Sequence, residues 1–321
     1  MRYLAVDLGG TKLATAVLDD TGALTDREVV PIGGRAGEDV AALIAERLLA
    51  ERERVAHRID AVGVTVPGIY RADRGTVWAP NIPGWDDFPL RETLAQALGD
   101  GTPVTVDSDR AAYIMGETWR GAARGARDAV FVAVGTGIGA GILVDGRVLR
   151  GHADIAGAIG WLALDRPFRD AYVSCGCFEH HASGPGLAKV ARALLDEQRD
   201  YDGELRTLAP EALTAEVLFA AAARDDVLAT RVIDDAIAYW GMAAANLVSL
   251  FNPEVIVFGG GVFGPAARLI GRIRDEALRW AQPIAVRQTA FVASTLAGDA
   301  GLYGAARLAM LAAARAPEAV A

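Results

Sequence analysis

A short segment that combines a carboxylate, two glycines, a hydroxyl and an ammonium group begins at residue 7, with the sequence Asp7-Leu8-Gly9-Gly10-Thr11-Lys12. Glycines let backbone N–H groups approach an anion closely, because no Cβ stands in the way. The Thr11 hydroxyl and the Lys12 ammonium add donors, and the Asp7 carboxylate offers the oxygen ligand that a hydrated Mg²⁺ prefers. The segment therefore has the groups to bind a phosphate and its cation, although an ordinary hairpin turn would explain it equally well.

Two further glycine segments follow predicted strands. Gly135-Thr136-Gly137-Ile138-Gly139-Ala140-Gly141 comes after the apolar run 129–134, and Gly259-Gly260-Gly261 comes after the run 255–258. The first of these repeats the plan of the N-terminus, because a strand, a glycine turn and a second strand occur in the same order. Two copies of one supersecondary plan predict a duplicated domain with a cleft between the halves.

The elements that must position these segments alternate between strands and helices. Residues 2–32 are predicted to form three short strands, and the apolar stretch 227–251 a long central helix. The triplet Asp107-Ser108-Asp109 lies at the carboxyl end of a predicted strand, before a helix that runs to about Trp119. The further predicted strands are 61–66, 102–106, 129–134, 142–144, 255–258 and 288–293, and the further predicted helices are 38–55, 90–98, 185–195, 214–224, 265–280 and 299–314.

The composition excludes several classes of protein. The chain has 321 residues, of which 52% are hydrophobic and 23% charged, which is typical of a globular protein. The net charge of −9 argues against a general nucleic-acid surface. No secretory leader or apolar run of membrane-spanning length is visible, and two cysteines are too few for a disulfide framework. We therefore expect a cytoplasmic protein that binds neither membranes nor nucleic acids.

The motifs, taken in their order and spacing, resemble the ROK family of bacterial sugar kinases, repressors and open reading frames, within the sugar-kinase, Hsp70 and actin superfamily. The resemblance covers nearly the whole chain and is specific, whereas any single glycine motif would be weak evidence. The matching segments are Asp7–Lys12, Pro67-Gly68, Ala79–Trp85, Asp109 with Gly116-Glu117, Gly135–Gly141, Gly151–Gly160, Cys177-Phe178-Glu179 with Ala182-Ser183-Gly184, Asn252-Pro253-Glu254 with Gly259–Gly261, and Asp299-Ala300-Gly301.

The resemblance implies an α/β fold of two actin-like (ribonuclease H-like) domains, each with a mixed sheet flanked by helices, and a cleft between them. The small N-terminal domain would span residues 1–119, and the C-terminal helix at 299–316 would pack back on it. The larger domain would span 120–298. A homodimer is also implied, although the sequence shows no interface directly.

The same resemblance implies an ATP-dependent kinase that phosphorylates a sugar hydroxyl. Asp109 matches the general base of the family, and a carboxylate at a strand end in a cleft can accept the proton of an attacking hydroxyl. An alternative role for Asp109, compatible with the first, is to cap the helix that follows. The glycine segments would hold ATP, and Mg²⁺ would neutralise its charge. The implied nucleotide-binding residues are Asp7, Gly9, Gly10, Thr11, Lys12, Gly135, Thr136, Gly137, Gly259, Gly260 and Gly261.

The implied sugar-binding residues are only partly those of the family. Gly68, Asn81 and Glu179 match it, but Ser108 replaces an Asn. Ala158 and Trp161 replace a Glu and a His that meet the sugar near C1 and C2. Trp161 would either stack on a sugar face or fill vacated space. Fewer hydrogen-bonding groups predict that unmodified glucose is a poor substrate, and that a hexose altered at C1 or C2, another sugar or a polyol is better.

The structural zinc site of the family is also incomplete. Trp161 stands where the family has a zinc-ligating His, and only Cys175 and Cys177 remain of the cysteine cluster. A tetrahedral zinc needs four N or S ligands, and His180 and His181 are better interpreted as surface residues of a helix or loop. We therefore expect no zinc, and free thiols that pack as small hydrophobic groups.

Two other functions compete with the kinase. A repressor would need a DNA-binding domain before the first glycine segment, and a segment that begins at residue 7 leaves no room for one. A sensor that binds sugar without phosphorylating it is favoured by the altered sugar residues and opposed by the complete phosphate segments and Asp109. The sequence leaves open the sugar, the hydroxyl and whether polyphosphate replaces ATP.

Overall fold

The computed structural model of the chain describes residues 1–55 and 58–314. Its strands and helices, in chain order, are β1 (Arg2–Leu8), β2 (Lys12–Asp19), β3 (Leu24–Pro31), α1 (Glu38–Arg54), β4 (Ala61–Val66), β5 (Ile69–Arg71), β6 (Thr76–Trp78), α2 (Leu90–Leu98), β7 (Val104–Ser108), α3 (Asp109–Arg120), β8 (Ala129–Val134), β9 (Ile138–Val144), β10 (Arg147–Val148), α4 (Cys177–Ala182), α5 (Gly184–Glu197), α6 (Ala215–Ala222), α7 (Val227–Phe251), β11 (Val255–Gly259), α8 (Ile270–Trp280), α9 (Pro283–Gln288), β12 (Ala290–Ala293) and α10 (Ala300–Ala313).

The chain divides into two compact units, called here unit 1 and unit 2. Unit 1 consists of Met1–Gly125, Val148–Ala156 and the chain from Gly298 onward. Unit 2 consists of Ala126–Arg147 and Gly157–Ala297. Unit 1 is therefore assembled from three separate stretches, one of which interrupts unit 2 in sequence.

The sheet of unit 1 is mixed, with strand order β3-β2-β1-β4-β7. β1 pairs antiparallel with β2 and parallel with β4, and β4 pairs parallel with β7. One register row joins Asp7, Thr65 and Asp107 across the three parallel strands. Because the residues of such a row share one face at the carboxyl ends of the strands, the sheet gathers polar side chains at this edge.

Helix α10 packs on one face of the unit 1 sheet through very small residues. A Cβ added to Gly63 of β4 would collide with the carbonyl of Ala305, and one added to Gly304 would collide with the carbonyl of Ala112 in α3. Leu302 and Ala309 are fully buried against the sheet. The predicted C-terminal helix 299–316 is thus observed as Ala300–Ala313, and its residues 315 and 316 lie outside the described residues.

The sheet of unit 2 repeats this plan, with strand order β10-β9-β8-β11-β12. β8 pairs antiparallel with β9 and parallel with β11, which in turn pairs parallel with β12. In each unit a glycine hairpin therefore joins two antiparallel strands. The first strand of this hairpin also pairs, on its other side, with a parallel strand. The predicted duplication of one α/β plan is confirmed.

Helix α7 lies at the centre of unit 2, as its apolar sequence predicts. Its Trp240 is buried, stacks at a tilt with Phe263 at 5.2 Å between ring centroids, and donates Nε1–H to the carbonyl of Ala182 at 3.1 Å. A buried indole needs such an acceptor, so this hydrogen bond fixes α4 relative to α7.

Most predicted bounds shift by one or two residues, and three predicted elements differ more from the observed ones. The glycine turn predicted at 135–141 is shorter, because β9 already begins at Ile138 and its ladder with β8 offsets the low strand propensity of glycine. The helix predicted at 265–280 begins with a 3₁₀ segment, and only its later part is α-helical. The strand predicted at 288–293 is confined to β12, because α9 precedes it, with Pro283 in its first turn and the Gln282 side chain as its cap.

Across the described residues, no helix is both long and apolar enough to cross a bilayer.

Candidate functional site

Asp109 lies at the junction where β7 ends and α3 begins. Ser108 caps α3, because its Oγ accepts the N–H of Ala111 at 3.3 Å, so the predicted capping role of Asp109 is wrong. The Asp109 carboxyl instead accepts the N–H of Arg110 at 2.7 Å. Burial raises the pKa of Asp109 to about 6, against an opposing effect of Arg110 and with a smaller contribution from Asp7. Asp109 is therefore a carboxylate whose pKa suits proton transfer near neutral pH.

Asp7 lies at the end of β1, in the same unit. Its Oδ1 accepts a hydrogen bond from Thr65 at 2.7 Å, and a Cβ added to Gly301 would collide with its carboxyl. Burial raises the pKa of Asp7, and the charge of Asp299 acts in the same direction, whereas the Thr65 hydrogen bond lowers it. A partly buried carboxylate with one hydroxyl donor fits a Mg²⁺ ion, which needs few protein ligands when phosphates and water supply the others.

The first glycine loop joins β1 to β2 and is open at its tip. The N–H of Gly9 donates to the carbonyl of Lys12 at 2.9 Å, which closes the turn. Gly10, Thr11 and Lys12 are exposed. The position of a Cβ on Gly10 lies 3.9 Å from Cβ of Asn81, so the loop tip and Asn81 are neighbours in unit 1.

Gly68 forms the turn after β4 and requires glycine. Its φ is 114°, and an added Cβ would collide with the carbonyl of Trp78. Its own carbonyl accepts Nη2–H of Arg110 at 3.3 Å. The sequence match at Gly68 thus has a backbone reason, and the turn is tied directly to the residue that follows Asp109.

The loop that carries Asn81 is anchored by aromatic packing. Trp85 is buried, stacks on Phe88 at 5.0 Å, and donates Nε1–H to the carbonyl of Gly37 at 2.9 Å. Asn81 itself is exposed. An exposed amide on an anchored loop is available to a ligand without rearrangement of the loop.

In unit 2, the second glycine loop rests on Glu179. Its Oε2 accepts the N–H of Ile138 at 2.7 Å, and an added Cβ would lie 2.9 Å from this oxygen at Gly137 and 3.0 Å at Gly160. Burial raises the pKa of Glu179, while the Ile138 hydrogen bond opposes the effect. The carbonyl of Gly135 accepts the N–H of Gly184. Glu179, which the sequence predicts to bind sugar, therefore supports the second glycine loop through this hydrogen bond.

The third glycine loop lies beside the second, because β11 and β8 are neighbouring parallel strands. Gly260 has a φ of 89°, and an added Cβ would collide with the carbonyl of Val134. Gly261 faces open space, and its nitrogen lies 3.9 Å from the position of a Cβ on Gly135. Together the two loops present neighbouring backbone with few side chains, which suits the close approach of a nucleotide.

Ala158 precedes the 3₁₀ turn Ile159–Trp161, and Trp161 is the last residue of that turn. Trp161 is 56% exposed, so it does not fill an interior space, which was one of its two predicted roles. Stacking on a sugar stays a prediction for this residue.

The segment that matches the zinc site of the family offers no tetrahedral ligand set in the part of the chain that the structure describes. Within 1–55 and 58–314, no group of three or more His, Cys, Asp or Glu side chains is placed to hold a metal ion. A hydrogen bond of 2.8 Å joins Nε2 of His181 to the hydroxyl of Tyr172, and the His181 ring stacks on Tyr239 at 4.5 Å between ring centroids. Cys177 is buried and Cys175 partly exposed, and both are free thiols. We call Tyr172, His180, His181 and Tyr239 the aromatic cluster.

The aromatic cluster also corrects the expectation that the two histidines lie on the surface. The side chain of His181 is 12% exposed, and the His180 ring contacts Tyr172 edge-on at 5.3 Å. Burial lowers the pKa of His181 to about 4, so its ring is neutral at physiological pH. The helical position of both residues, in α4, agrees with the prediction.

Sequence reasoning missed the arginines of unit 1. Arg150 forms a bidentate pair with the buried carboxylate of Asp107, at 2.7 and 2.5 Å. Arg110 contacts the carbonyls of Gly68 and Ala156. The available signal was that Arg110 is the one basic residue between positions 107 and 117, directly beside the predicted base.

Two mixed sheets of the same plan, each with a glycine hairpin on its first two strands, define an α/β protein of the actin-like class. The model of the ROK family matches residues 3–311, and the chain belongs to that family. It is 34% identical to a glucokinase of Halalkalibacterium halodurans over 94% of this chain and 93% of the relative.

Solved structures show the same fold. A ROK hexokinase from Thermus thermophilus matches with a TM-score of 0.78 and 33% identity, over 97% of this chain and 99% of that one. A ROK family glucokinase from Streptomyces griseus, in complex with glucose and AMPPNP, matches with a TM-score of 0.80 and 30% identity, over 97% and 100%.

Proposed function

We propose that the chain is an ATP-dependent kinase that phosphorylates a hydroxyl of a sugar or sugar derivative, with Asp109 as the general base. The observation that carries this proposal is the position of Asp109 at a strand–helix junction, where its carboxyl is held by the N–H of Arg110 and burial raises its pKa to about 6. The glucokinases among its relatives and the bound AMPPNP of the Streptomyces griseus enzyme support ATP as the donor.

In the proposed reaction Asp109 takes the proton of the acceptor hydroxyl as its oxygen attacks the γ-phosphorus of ATP. A new P–O bond forms to the acceptor, the bond to the β-phosphate oxygen breaks, and ADP leaves with the electron pair. The N–H of Arg110 holds Oδ1 of Asp109 and so fixes the plane of the carboxyl. A base with a pKa slightly below 7 is ionised at neutral pH and still able to accept a proton.

The ATP phosphates are proposed to contact the loop Gly9–Lys12 in unit 1, with the N–H of Gly10 and the side chains of Thr11 and Lys12 as donors. In unit 2 they are proposed to contact the loop Gly135–Gly137. The N–H groups of Gly9 and Gly135 close their own turns, on the carbonyls of Lys12 and Gly137. Gly259–Gly261 would contact the nucleoside. Mg²⁺, which would lower the negative charge of the phosphates, is proposed to be held on the protein side by Asp7.

The acceptor is proposed to contact Gly68, Asn81 and Ser108 in unit 1, and Glu179 with the Ala158–Trp161 turn in unit 2. Ser108 uses its Oγ as an acceptor for the helix cap, so it has its hydroxyl hydrogen to offer a ligand. A cytoplasmic homodimer, with no role in nucleic-acid binding, completes the proposal.

The test is ADP release, measured by a coupled assay over a panel of sugars, sugar acids and polyols, with ATP and polyphosphate as donors. Asp109→Asn should lower kcat by about 10²–10⁴-fold for every acceptor. Asp73→Asn, in an exposed turn of the same unit, is the matched control and should retain full activity. Thermal stabilisation by a sugar without turnover under any donor would refute the kinase and identify a sugar-binding protein.

A further inference from the structure

The guanidinium of Arg110 is a partly buried positive charge directly beside the proposed base, and its hydrogen bonds are to neutral carbonyls. It follows Asp109 in the first turn of α3 and is partly buried. Its Nη2 donates to the carbonyl of Gly68 at 3.3 Å and its Nη1 to the carbonyl of Ala156 at 3.5 Å. Both contacts are longer than a typical N–H···O bond, and both acceptors are neutral.

Arg110 differs in this respect from the other arginine of the region. Arg150 is paired with Asp107, whose carboxylate accepts two short hydrogen bonds from Arg150 and a third from the N–H of Ser108. No ion pair joins Arg110 to a carboxylate of residues 1–55 or 58–314 within 4.0 Å. A guanidinium has five N–H donors, and two of those on Arg110 are used by carbonyls. The remaining donors and the positive charge are available to a ligand.

The position of this charge indicates which ligand it would meet. Arg110 is bonded to the carbonyl of Gly68 and adjoins Asp109, and both are acceptor-site residues of the proposed kinase. The inference therefore rests on the proposed function and deepens it. A partly buried guanidinium binds a carboxylate more strongly than a hydroxyl, because the planar fork matches the two oxygens and low solvation strengthens the attraction.

We propose that Arg110 is a specificity-determining residue and that the preferred acceptor is a sugar carrying a carboxylate, of the hexonate or hexuronate class. The carboxylate would replace the two long carbonyl contacts with charge-assisted hydrogen bonds to the guanidinium. Asp109 would remain the base for a hydroxyl of the same sugar. A neutral hexose has no group that matches the fork.

The experiment compares matched neutral and acidic acceptors on the full chain. Wild-type kcat/KM is measured for glucose, glucitol, glucuronate and gluconate, and for glucose 6-phosphate as a different anion. The variants are Arg110→Met, Arg110→Lys and, as a control, Arg74→Met in an exposed turn. All rates are taken at pH 8, where Asp109 is ionised, so that an effect of Arg110 on the pKa of Asp109 does not enter.

We expect an acidic sugar to exceed its neutral counterpart by at least about tenfold in kcat/KM. Arg110→Met should abolish that preference, with about a 10–100-fold loss for the acid and little change for the neutral sugar. Arg110→Lys should retain part of the preference, because it keeps the charge without the fork. Arg74→Met should resemble the wild type.

Three outcomes would overturn the proposal. The first is that a neutral sugar has the highest kcat/KM. The second is that Arg110→Met lowers kcat/KM equally for every acceptor, as expected if Arg110 only ties Gly68 to Ala156. The third is that glucose 6-phosphate has a higher kcat/KM than both carboxylates. If no acceptor is phosphorylated, the proposed function fails. Thermal stabilisation by the same sugars then tests the role of Arg110. The proposed role is supported only if the acidic sugars raise the Tm of the wild type and do not raise the Tm of Arg110→Met.

Discussion

Replacing Asp109 by Asn should lower kcat by about 10²–10⁴-fold and at the same time stabilise the protein. Burial raises the pKa of this carboxyl from 3.8 to about 6, so the native state carries an ionised group in an unfavourable environment at pH 7. That rise corresponds to about 3 kcal/mol at most. Since the residue is only partly buried by its accessible surface, we expect Asp109→Asn to gain about 1–2 kcal/mol, or about 2–6 °C in Tm.

The sign of the effect with pH follows from the direction of the shift. The native state binds the proton of Asp109 more tightly than the unfolded chain does. The contribution of Asp109 to stability is therefore fully present below pH 3.8 and is lost as the pH rises through about 6. The advantage of the Asn variant should be largest at pH 7 and above, and should shrink towards pH 4.

Calorimetry or a dye-based melting curve at pH 4.5, 6 and 8 measures the difference in Tm between wild type and variant. Asp73→Asn serves again as the control for removal of a charge, and ADP release measures activity on the same samples. A Tm that falls on substitution at pH 8, or a difference that does not depend on pH, would show that Asp109 is not strained by burial. The assignment of its pKa as the tuned feature of the site would then be wrong.

The remaining predictions concern pH, the nucleotide loops, the aromatic cluster and the acceptor. kcat/KM should fall about tenfold per pH unit below pH 6, because Asp109 must be ionised, and a profile flat to pH 5 would contradict this. Gly260→Ala should raise the KM for ATP and lower stability by about 1–3 kcal/mol, because its φ is 89°, whereas Gly261→Ala, which faces open space, should be mild in thermal melts. Tyr172→Phe should lower stability by about 1–2 kcal/mol through loss of the hydrogen bond to His181. A strong chelator should leave the Tm of the wild type unchanged. A Tm lowered by the chelator, together with zinc found in the purified protein by elemental analysis, would refute a metal-free aromatic cluster. Glucose should not give the highest kcat/KM in the acceptor panel, which the same ADP assay decides.

Much of the fold follows from patterns that are local in sequence. The glycine pairs and alternating apolar runs predict both hairpins, and the apolar length of α7 predicts a central helix with the observed bounds, Val227–Phe251. The position of Asp109 at a strand–helix junction was predicted for the same reason. The cap was assigned to the wrong residue, because Ser108 and Asp109 are both good caps and only the backbone angles decide between them.

The parts that sequence could not supply are contacts between distant segments. The pair of Arg150 and Asp107 joins residues 43 positions apart and exists only because the stretch 148–156 returns to unit 1. The inward packing of His181 depends on Tyr172 and Tyr239 and has no periodic signal. The exposure of Trp161 could not be foreseen either, because a large aromatic side chain is more often buried than not.

The return of α10 to unit 1 sets an order for folding during synthesis. Gly301 lies against the carboxyl of Asp7, and Gly304 packs against α3, so the environment of Asp7 is incomplete until α10 has left the ribosome. All the strands of unit 2 emerge earlier, which lets that unit close first. A nascent chain that stalls before residue 300 would hold an uncovered sheet face around Tyr3 and Ala61, and chaperones that recognise apolar surface would be expected to bind there.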